Sequence, residues 1–183
     1  MSTPAEHYRK LSGEMAGRIA AVPDDRWGDP APCEGWTARD VVKHLVETPP
    51  MFFGLVDAPA PVGGPSVDED PLGAFEHMAA GVQAALDDPA VADREFDGSF
   101  GKNTFAGGVD QFICADLVVH AWDLARATGG DERLDPDEVH ALYEAMLPLD
   151  EAIRQPGAFG PKVEPPPDAD EQTRFLCFLG RPV

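Results

Sequence analysis

Apolar residues recur at steps of three and four over long stretches of the chain, which is the spacing of one face of an α-helix. The first stretch predicts a helix from Pro4 to Ala21, closed by Pro23, with an apolar face formed by Tyr8, Leu11, Met15 and Ile19. A second helix follows Thr37, a residue type favoured at helix N-caps, with Asp40 three residues later as an imperfect capping box. Its apolar residues are Val41, Val42, Leu45 and Val46. The Pro49–Pro50 pair is expected to kink this helix or to end its first part.

Two further helices follow longer polar connections. Asp70–Pro71 pairs a cap with a first-turn proline and opens a helix whose apolar stripe is Leu72, Phe75, Met78, Ala79, Val82 and Leu86. A fourth helix is predicted from about Phe105 to Thr128, with a buried face formed by Val109, Phe112, Ile113, Leu117, Ala121 and Leu124. The connection 57–70 is long enough to cross the end of a bundle. The connection 87–104 predicts an extended piece at 96–100 but shows no strand alternation.

The last third of the chain predicts an appendage to these four helices. Asp135–Pro136 opens a fifth helix, whose inward residues are Val139, Leu142, Met146, Leu149 and Ile153. Residues 156–170 are rich in proline and are predicted to form a surface segment, and a short helix follows from Glu171 to Leu179. We therefore predict an all-α fold in a single domain, residues 1–183, with a bundle core at about 4–130 and a helical appendage at about 135–183.

The charge balance narrows the classes of function. Fourteen Lys and Arg residues stand against 33 Asp and Glu residues, which gives a net charge of −19. Because a field of that sign repels phosphate backbones and anionic lipids, we expect no binding to nucleic acid or membranes. The three cysteines are widely spaced, and we find neither a signal peptide nor an apolar run of ~20 residues, so a cytoplasmic location is expected.

The fourth helix carries the most informative polar pair. Asp116 and His120 are four residues apart, so on a helix their side chains are neighbours on one face, with Cβ atoms ~5–6 Å apart. That face also carries Ile113, Leu117 and Leu124. A carboxylate and an imidazole that face a core are costly unless they are paired or bound to a ligand, and a metal ion would satisfy both. A buried Asp–His pair without a metal is the alternative that this spacing leaves open.

His44, on the apolar face of the second helix, is the natural third ligand to join Asp116 and His120. Three protein ligands with an open fourth position form the arrangement of catalytic zinc sites. Nickel and iron accept the same ligands, so the predicted cofactor is a divalent metal, with zinc favoured and nickel or iron as alternatives. Asp40 and Asp123, each about one turn from a predicted histidine ligand, are candidate acceptors for the second N–H of the two imidazoles.

The other histidines and two of the cysteines receive simpler interpretations. His7, His77 and His140 have polar or terminal neighbours and are predicted at the surface. Cys114 points away from the Asp–His face and is predicted to be a small buried residue. Cys33, in the loop before the second helix, could approach the mouth of the site, but a turn residue is the favoured interpretation.

Two arginines and three aromatic residues could contribute to a substrate pocket. For Arg39 and Arg126 we favour surface ion pairs over binding of a substrate carboxylate. Phe112 is expected in the core, whereas Trp36 and Trp122 fit either a pocket lining or the core.

Several stretches resemble a known family. Residues 33–45, C-E-G-W-T-A-R-D-V-V-K-H-L, are similar to the second-helix entry of the DinB-like superfamily, and more closely to its mycothiol-dependent maleylpyruvate isomerase-like N-terminal-domain branch. Residues 116–129, D-L-V-V-H-A-W-D-L-A-R-A-T-G, resemble the fourth-helix signature of that branch. Residues 157–160, G-A-F-G, and 178–181, F-L-G-R, resemble a small actinobacterial metal-binding subfamily.

The resemblance implies a DinB-like four-helix bundle with an up-down-down-up course and extra C-terminal helices. It also implies the metal triad of the family, one histidine of the second helix with an acid and a histidine four apart on the fourth, which corresponds to His44, Asp116 and His120. The isomerase has glutamate at the position of Asp116, so direct ligation by the shorter aspartate requires closer helices or a bridging water.

The function implied by the resemblance is a metal-dependent transferase or isomerase that uses a low-molecular-weight thiol, mycothiol, as cosubstrate on a small molecule. A metal-dependent hydrolase of the same superfamily, with water as the nucleophile, and a non-enzymatic metal- or thiol-binding protein are the alternatives. The residues themselves assign neither a catalytic nor a thiol-binding side chain. The Pro-rich loops and helical faces are compatible with a homodimer.

Overall fold

The computed structural model describes residues 2–98, 101–154 and 159–183. Part of the predicted extended piece, residues 99–100, and half of the G-A-F-G motif, residues 157–158, lie outside the described residues. The first two helices begin at the predicted residues. Thr3 caps α1 (Pro4–Ala20) and Thr37 caps α2 (Ala38–Glu47), and each cap forms a reciprocal capping box with an acid three residues later. The chain restarts at the proline pair as α3 (Pro49–Leu55), so the predicted break is present.

A short hairpin separates the two halves of the bundle. α4 (Pro71–Asp87) and α5 (Pro89–Ala92) each begin with a proline that follows an aspartate cap. β1 (Glu95–Gly98) and β2 (Gly101–Thr104) then pair antiparallel, with Glu95 opposite Thr104. The predicted extended piece at 96–100 overlaps β1, whereas its pairing with β2 was not predicted. Of the eight residues in the two strands only Phe96 is buried, so no alternation was visible in the sequence.

The predicted fourth helix contains one wide turn. α6 (Phe105–Gly108), a π-helical turn (Val109–Ile113) and α7 (Cys114–Thr128) follow one another without a break. Gly129 ends α7 with a positive φ of 76°, a left-handed conformation that glycine adopts without steric cost. α8 (Pro136–Met146) is shorter than predicted, because Pro148 has no N–H with which to extend the helix. The last element is α9 (Glu171–Phe178).

Four of these helices form the bundle. α1 and α2 each pack against both α4 and α7, so α4 and α7 separate the other two. The predicted inward face of α1 is buried, and the same hydrophobic cluster continues into Val139 of α8 and into Phe175 and Leu176 of α9. The predicted all-α four-helix bundle with extra C-terminal helices is confirmed. Among the helices of the described residues, none is long and apolar enough to cross a bilayer.

Candidate metal centre

The two bundle helices α2 and α7 carry the three predicted ligands. His44 lies in the last turn of α2, and Asp116 and His120 lie one turn apart on α7, against which α2 packs. One nitrogen or oxygen of each residue lies within 4.8 Å of the corresponding atom of the other two. The two imidazole rings meet edge to face, with centroids 4.8 Å apart. The structure therefore brings together all three residues that the sequence pattern singled out.

His44 and Asp116 are in direct contact. The Nε2 atom of His44 lies 3.1 Å from the Oδ2 atom of Asp116. Two ligands that each bind a tetrahedral zinc ion at ~2.0–2.1 Å are ~3.3 Å apart, so this spacing is close to the one that coordination requires. The shorter aspartate thus reaches the site without the additional methylene of glutamate. The two side chains are 29% and 31% exposed, which leaves the site accessible from solvent.

The second ring nitrogen of His44 faces a hydroxyl group rather than the predicted carboxylate. Its Nδ1 lies 3.2 Å from Oγ1 of Thr48, one turn further along the chain. The expectation that Asp40 would accept this N–H was wrong. Asp40 instead accepts hydrogen bonds from the backbone N–H and the hydroxyl of Thr37, at 2.8 and 2.7 Å, and these bonds lower the pKa of its carboxyl group. The Asp40 carboxylate is therefore part of the N-terminal cap of α2.

His120 has the carboxylate partner that the sequence predicted. Its Nδ1 lies 2.9 Å from Oδ2 of Asp123, which is completely buried. Burial alone opposes ionisation of Asp123, but hydrogen bonds from His120 and Arg181 outweigh it and lower its pKa to about 2. An ionised carboxylate can only accept hydrogen bonds, so Nδ1 of His120 carries the proton. This leaves Nε2 of His120 as the atom available to a metal.

Two residues beside Asp123 were not assigned to the site from the sequence: Arg181 was not considered, and Cys33 was interpreted as a turn residue. Arg181 donates from Nε to Oδ1 at 3.2 Å and from Nη2 to Oδ2 at 2.8 Å. The Cys33 thiol donates to Oδ2 at 3.4 Å, so Cys33 is more than a turn residue. Its burial and the neighbouring Asp123 carboxylate raise the pKa of Cys33 to about 12, which keeps it a thiol at neutral pH. The nearest signal in the sequence was the F-L-G-R motif, which ends at Arg181.

Trp36 lies against both imidazoles. Its ring stacks on His120 at a centroid distance of 5.8 Å and lies 5.2 Å from the tilted ring of His44. Trp36 is partly buried and lines the site, whereas Trp122 is only 1% exposed and belongs to the core. Phe112 is partly buried and packs against the core, as expected.

The two arginines considered for substrate binding have other partners. Arg126 forms the predicted surface ion pair, with Nη1 3.0 Å from a carboxylate oxygen of Glu132. Among the described residues, no carboxylate forms such an ion pair with Arg39. Arg39 donates to the backbone carbonyls of Val67 and Asp68, at 2.7 and 3.0 Å, and so ties the long connection between α3 and α4 to α2.

The predictions for the other histidines and for Cys114 are mixed. His77 and His140 are exposed, as expected, and His140 Nδ1 lies 2.8 Å from Glu171. Cys114 is buried. The surface prediction for His7 was wrong. Its ring is half-buried between Asp110, 2.7 Å from Nδ1, and Glu138, 3.0 Å from Nε2.

Two further groups of potential ligands occur among the described residues, but each has a cationic partner already. In the group of His7, Asp110 and Cys114, both nitrogens of His7 contact carboxylates, so a protonated imidazole supplies the positive charge. In the group of Cys33, His120 and Asp123, the Arg181 guanidinium takes that role. The group of His44, Asp116 and His120 has neither feature, and its donor set of two imidazoles and a carboxylate suits zinc.

Comparisons with known proteins give a family match and two relatives of similar length. Residues 8–125 match the profile of a family described as the mycothiol maleylpyruvate isomerase N-terminal domain. Two curated relatives, uncharacterized proteins of Mycobacterium tuberculosis strains CDC 1551 / Oshkosh and ATCC 25618 / H37Rv, are each 28% identical over 185 residues, which covers 98% of either chain. A comparison with solved structures gave no significant match. The family match contains His44, Asp116 and His120 but stops well before Arg181.

Proposed function

The chain belongs to the mycothiol maleylpyruvate isomerase N-terminal domain family, and on this premise we propose that it binds one divalent metal ion through His44, Asp116 and His120. We further propose that zinc is the ion, with nickel or iron as alternatives, and that mycothiol is the cosubstrate for transfer to, or isomerisation of, a small molecule. The thiol partner is consistent with the predicted cytoplasmic location.

The observation that carries this proposal is the contact between His44 and Asp116, 3.1 Å apart, with the His120 ring beside them. Two imidazole nitrogens and a carboxylate oxygen match the ligands of catalytic zinc sites, which keep one coordination position for water or substrate. The partial exposure of His44 and Asp116 provides access to that position.

When bound, a zinc ion would lower the pKa of a coordinating thiol, so that thiolate forms near neutral pH. The residues of the chain prepare the site. Asp123 holds the proton of His120 on Nδ1, Thr48 contacts Nδ1 of His44, and both imidazoles therefore present Nε2 to the ion. Trp36 lies against both rings and lines the site.

Metal content is the first test. Inductively coupled plasma mass spectrometry on untagged protein should find about one equivalent of metal, and a His44→Ala/His120→Ala double variant that still folds should contain none. The matched control is His77→Ala/His140→Ala, which removes two exposed histidines outside the site and should retain the metal. Wild-type protein that takes up no metal after dialysis against zinc or nickel would contradict the proposal.

Use of a thiol is tested separately with cobalt-substituted protein. Addition of a low-molecular-weight thiol should change the visible absorbance of the cobalt, because a sulfur ligand enters the open position. An unchanged spectrum would contradict the thiol step and favour the hydrolase of the same superfamily, since the exposed side of the site admits water as readily as a thiol. A metal that binds neither an added thiol nor water would indicate a non-enzymatic binding protein.

The predicted homodimer is tested by light scattering.

A further inference from the structure

The end of α9 places Arg181 at a defined position. Gly180 has a positive φ of 83°, and its N–H and that of Arg181 bond to the carbonyls of Cys177 and Leu176 at 3.0 and 2.9 Å. This is the Schellman pattern, which reverses the chain after a helix. A Cβ atom on residue 180 would lie 2.7 Å from the carbonyl oxygen of Pro161, so glycine is required here for space as well as conformation. The turn sends the Arg181 side chain back to α7.

Arg181 meets Asp123 through two hydrogen bonds. The guanidinium spans both carboxylate oxygens, from Nε to Oδ1 at 3.2 Å and from Nη2 to Oδ2 at 2.8 Å. Such a two-pronged contact fixes the orientation of a carboxylate as well as its charge. The Asp123 side chain is fully buried, and a buried carboxylate without a cationic partner is strongly unfavourable. Arg181 is 9% exposed, so the pair is shielded from solvent and salt.

The same oxygen of Asp123 that accepts from Nη2 of Arg181 also accepts from Nδ1 of His120, at 2.9 Å. The orientation of the carboxylate therefore determines where this oxygen lies and, through it, how the His120 ring is turned. Trp36 stacks on the other side of that ring and limits its tilt. The chain of contacts from Arg181 to Asp123 to His120 ends at a proposed metal ligand.

We propose that Arg181 is a positioning residue of the metal centre: it orients Asp123, which in turn holds the His120 imidazole with Nδ1 protonated and Nε2 toward His44 and Asp116. This inference rests on the proposed function for its effect on metal binding. It makes the C-terminal segment 159–183, which lies outside the family match, a working part of the site.

The test uses the full chain with two readouts, one of which needs no metal. Long-range 1H–15N NMR of metal-free protein reports which nitrogen of each histidine ring is protonated, and a His120→Gln variant assigns the signal of His120. Competition with a chromophoric chelator gives the zinc affinity. Arg181→Gln removes the charge, and Arg181→Lys keeps the charge but not the two-pronged geometry. Arg174→Gln, the matched control, removes an exposed arginine of α9, the helix that precedes Arg181.

We expect Arg181→Gln to shift the His120 ring from a single Nδ1–H form to a mixture and to weaken zinc binding about 10–100-fold, the usual effect of losing a residue that supports a metal ligand. Arg181→Lys should change both readouts in the same direction by less, and Arg174→Gln should change neither. If Arg181→Gln does not fold, Arg181→Lys decides the question.

The inference would be overturned if the Arg181 variants had the same His120 ring signals and the same zinc affinity as the wild type. A loss of thermal stability without a change in either readout would also overturn it, because it would show a purely structural role. If the wild-type protein binds no zinc, the proposed function fails but this inference is still tested. In that case a changed His120 ring signal in the Arg181 variants supports the positioning role, and an unchanged signal refutes it.

Discussion

The Nε2 atom of His44 and the Oδ2 atom of Asp116 lie 3.1 Å apart, although 72 residues separate the two in the chain. The contact joins α2 to α7 and has buried apolar residues beside it, Val41 and Leu45 of α2 and Leu117 of α7. A single hydrogen bond between an imidazole and a carboxylate satisfies this pair in the absence of an ion. With an ion, the same atoms become two of its three protein ligands.

Loss of a residue that supports a metal ligand weakens metal binding about 10–100-fold. Asp116→Asn is expected to weaken zinc binding by more than this, because it removes the charge of a ligand itself. Asp116→Glu keeps the carboxylate and should retain the metal. Titration against a chromophoric chelator measures both affinities. Asp110→Asn, which changes an acid of the π-helical turn that contacts His7 instead, is the control and should bind zinc as the wild type does. Equal affinities for Asp116→Asn and wild type would remove Asp116 from the ligand set.

Trp36 should report on metal binding through its fluorescence. Its ring centroid lies 5.2 Å from that of His44 and 5.8 Å from that of His120, so a paramagnetic cobalt ion held by these rings would quench its emission. We expect cobalt to quench the wild-type protein and to have much less effect on Trp36→Phe. Trp27→Phe, which removes a tryptophan that has no ring contact with either histidine, should leave the quenching in place. Undiminished quenching in Trp36→Phe would place the ion elsewhere.

The ion pairs of His7 predict a pH-dependent contribution to stability. Burial opposes charging of this imidazole, but hydrogen bonds to Asp110 and Glu138 outweigh it and raise the pKa of His7 above its ordinary value of 6.5. A raised pKa in the folded state stabilises the protein fully below pH 6.5, and this contribution is lost as the pH rises through the folded-state pKa. On the acid side, the lowered pKa of Glu138 preserves its negative charge above pH 4.5.

Urea unfolding of wild type and His7→Gln should therefore differ most between about pH 5 and 6.5, and the difference should shrink toward alkaline pH. His140→Gln is the matched control. Its imidazole contacts Glu171 but is exposed, so solvent and salt screen the pair and its removal should change stability less. A His7→Gln difference that is constant with pH would show that the ring contributes by packing alone.

The C-terminal helix is expected to unfold together with the bundle. Phe175 of α9 is fully buried in the same hydrophobic cluster as the bundle residues, so the predicted single domain should show one cooperative transition. Phe175→Ala should lower the free energy of unfolding by about 3–5 kcal/mol, whereas Leu147→Ala, at a side chain 42% exposed, should change it by less than about 0.5 kcal/mol. Calorimetry that resolves two transitions, with only one shifted by Phe175→Ala, would divide the chain into two domains.

Local signals in the sequence were sufficient for most of the helices. The buried face of α1 follows from apolar spacing alone, and Thr37 and Asp40 mark the start of α2 through their capping box. The hairpin was missed because its strands are short and only one of their side chains is buried. The fifth helix was extended too far because apolar spacing continued past Pro148, where the backbone lacks a donor.

The long-range contacts of the site could be predicted only in part from the sequence. The spacing of Asp116 and His120 and the apolar neighbours of His44 singled out three residues that the structure brings within 4.8 Å of one another. Asp123 was found because it lies within one turn of His120. Arg181 lies 58 residues further along, and Cys33 lies 90 residues earlier, so no helical periodicity connects either of them to Asp123. The role of Asp40 was misjudged because one carboxylate can serve a cap or a histidine, and spacing alone does not distinguish the two.

The π-helical turn at Val109–Ile113 affects how this chain should be aligned with its relatives. A π-turn holds one residue more than an α-turn, so a relative with a regular helix here would differ by a single residue within 109–113. Such a gap would change the rotation of the helix about its axis before α7 begins. The sequence spacing among Asp116, His120 and Asp123 would stay the same. Alignments that place the gap in the neighbouring hairpin would shift residues 105–113 out of register and pair Asp110 with the wrong position.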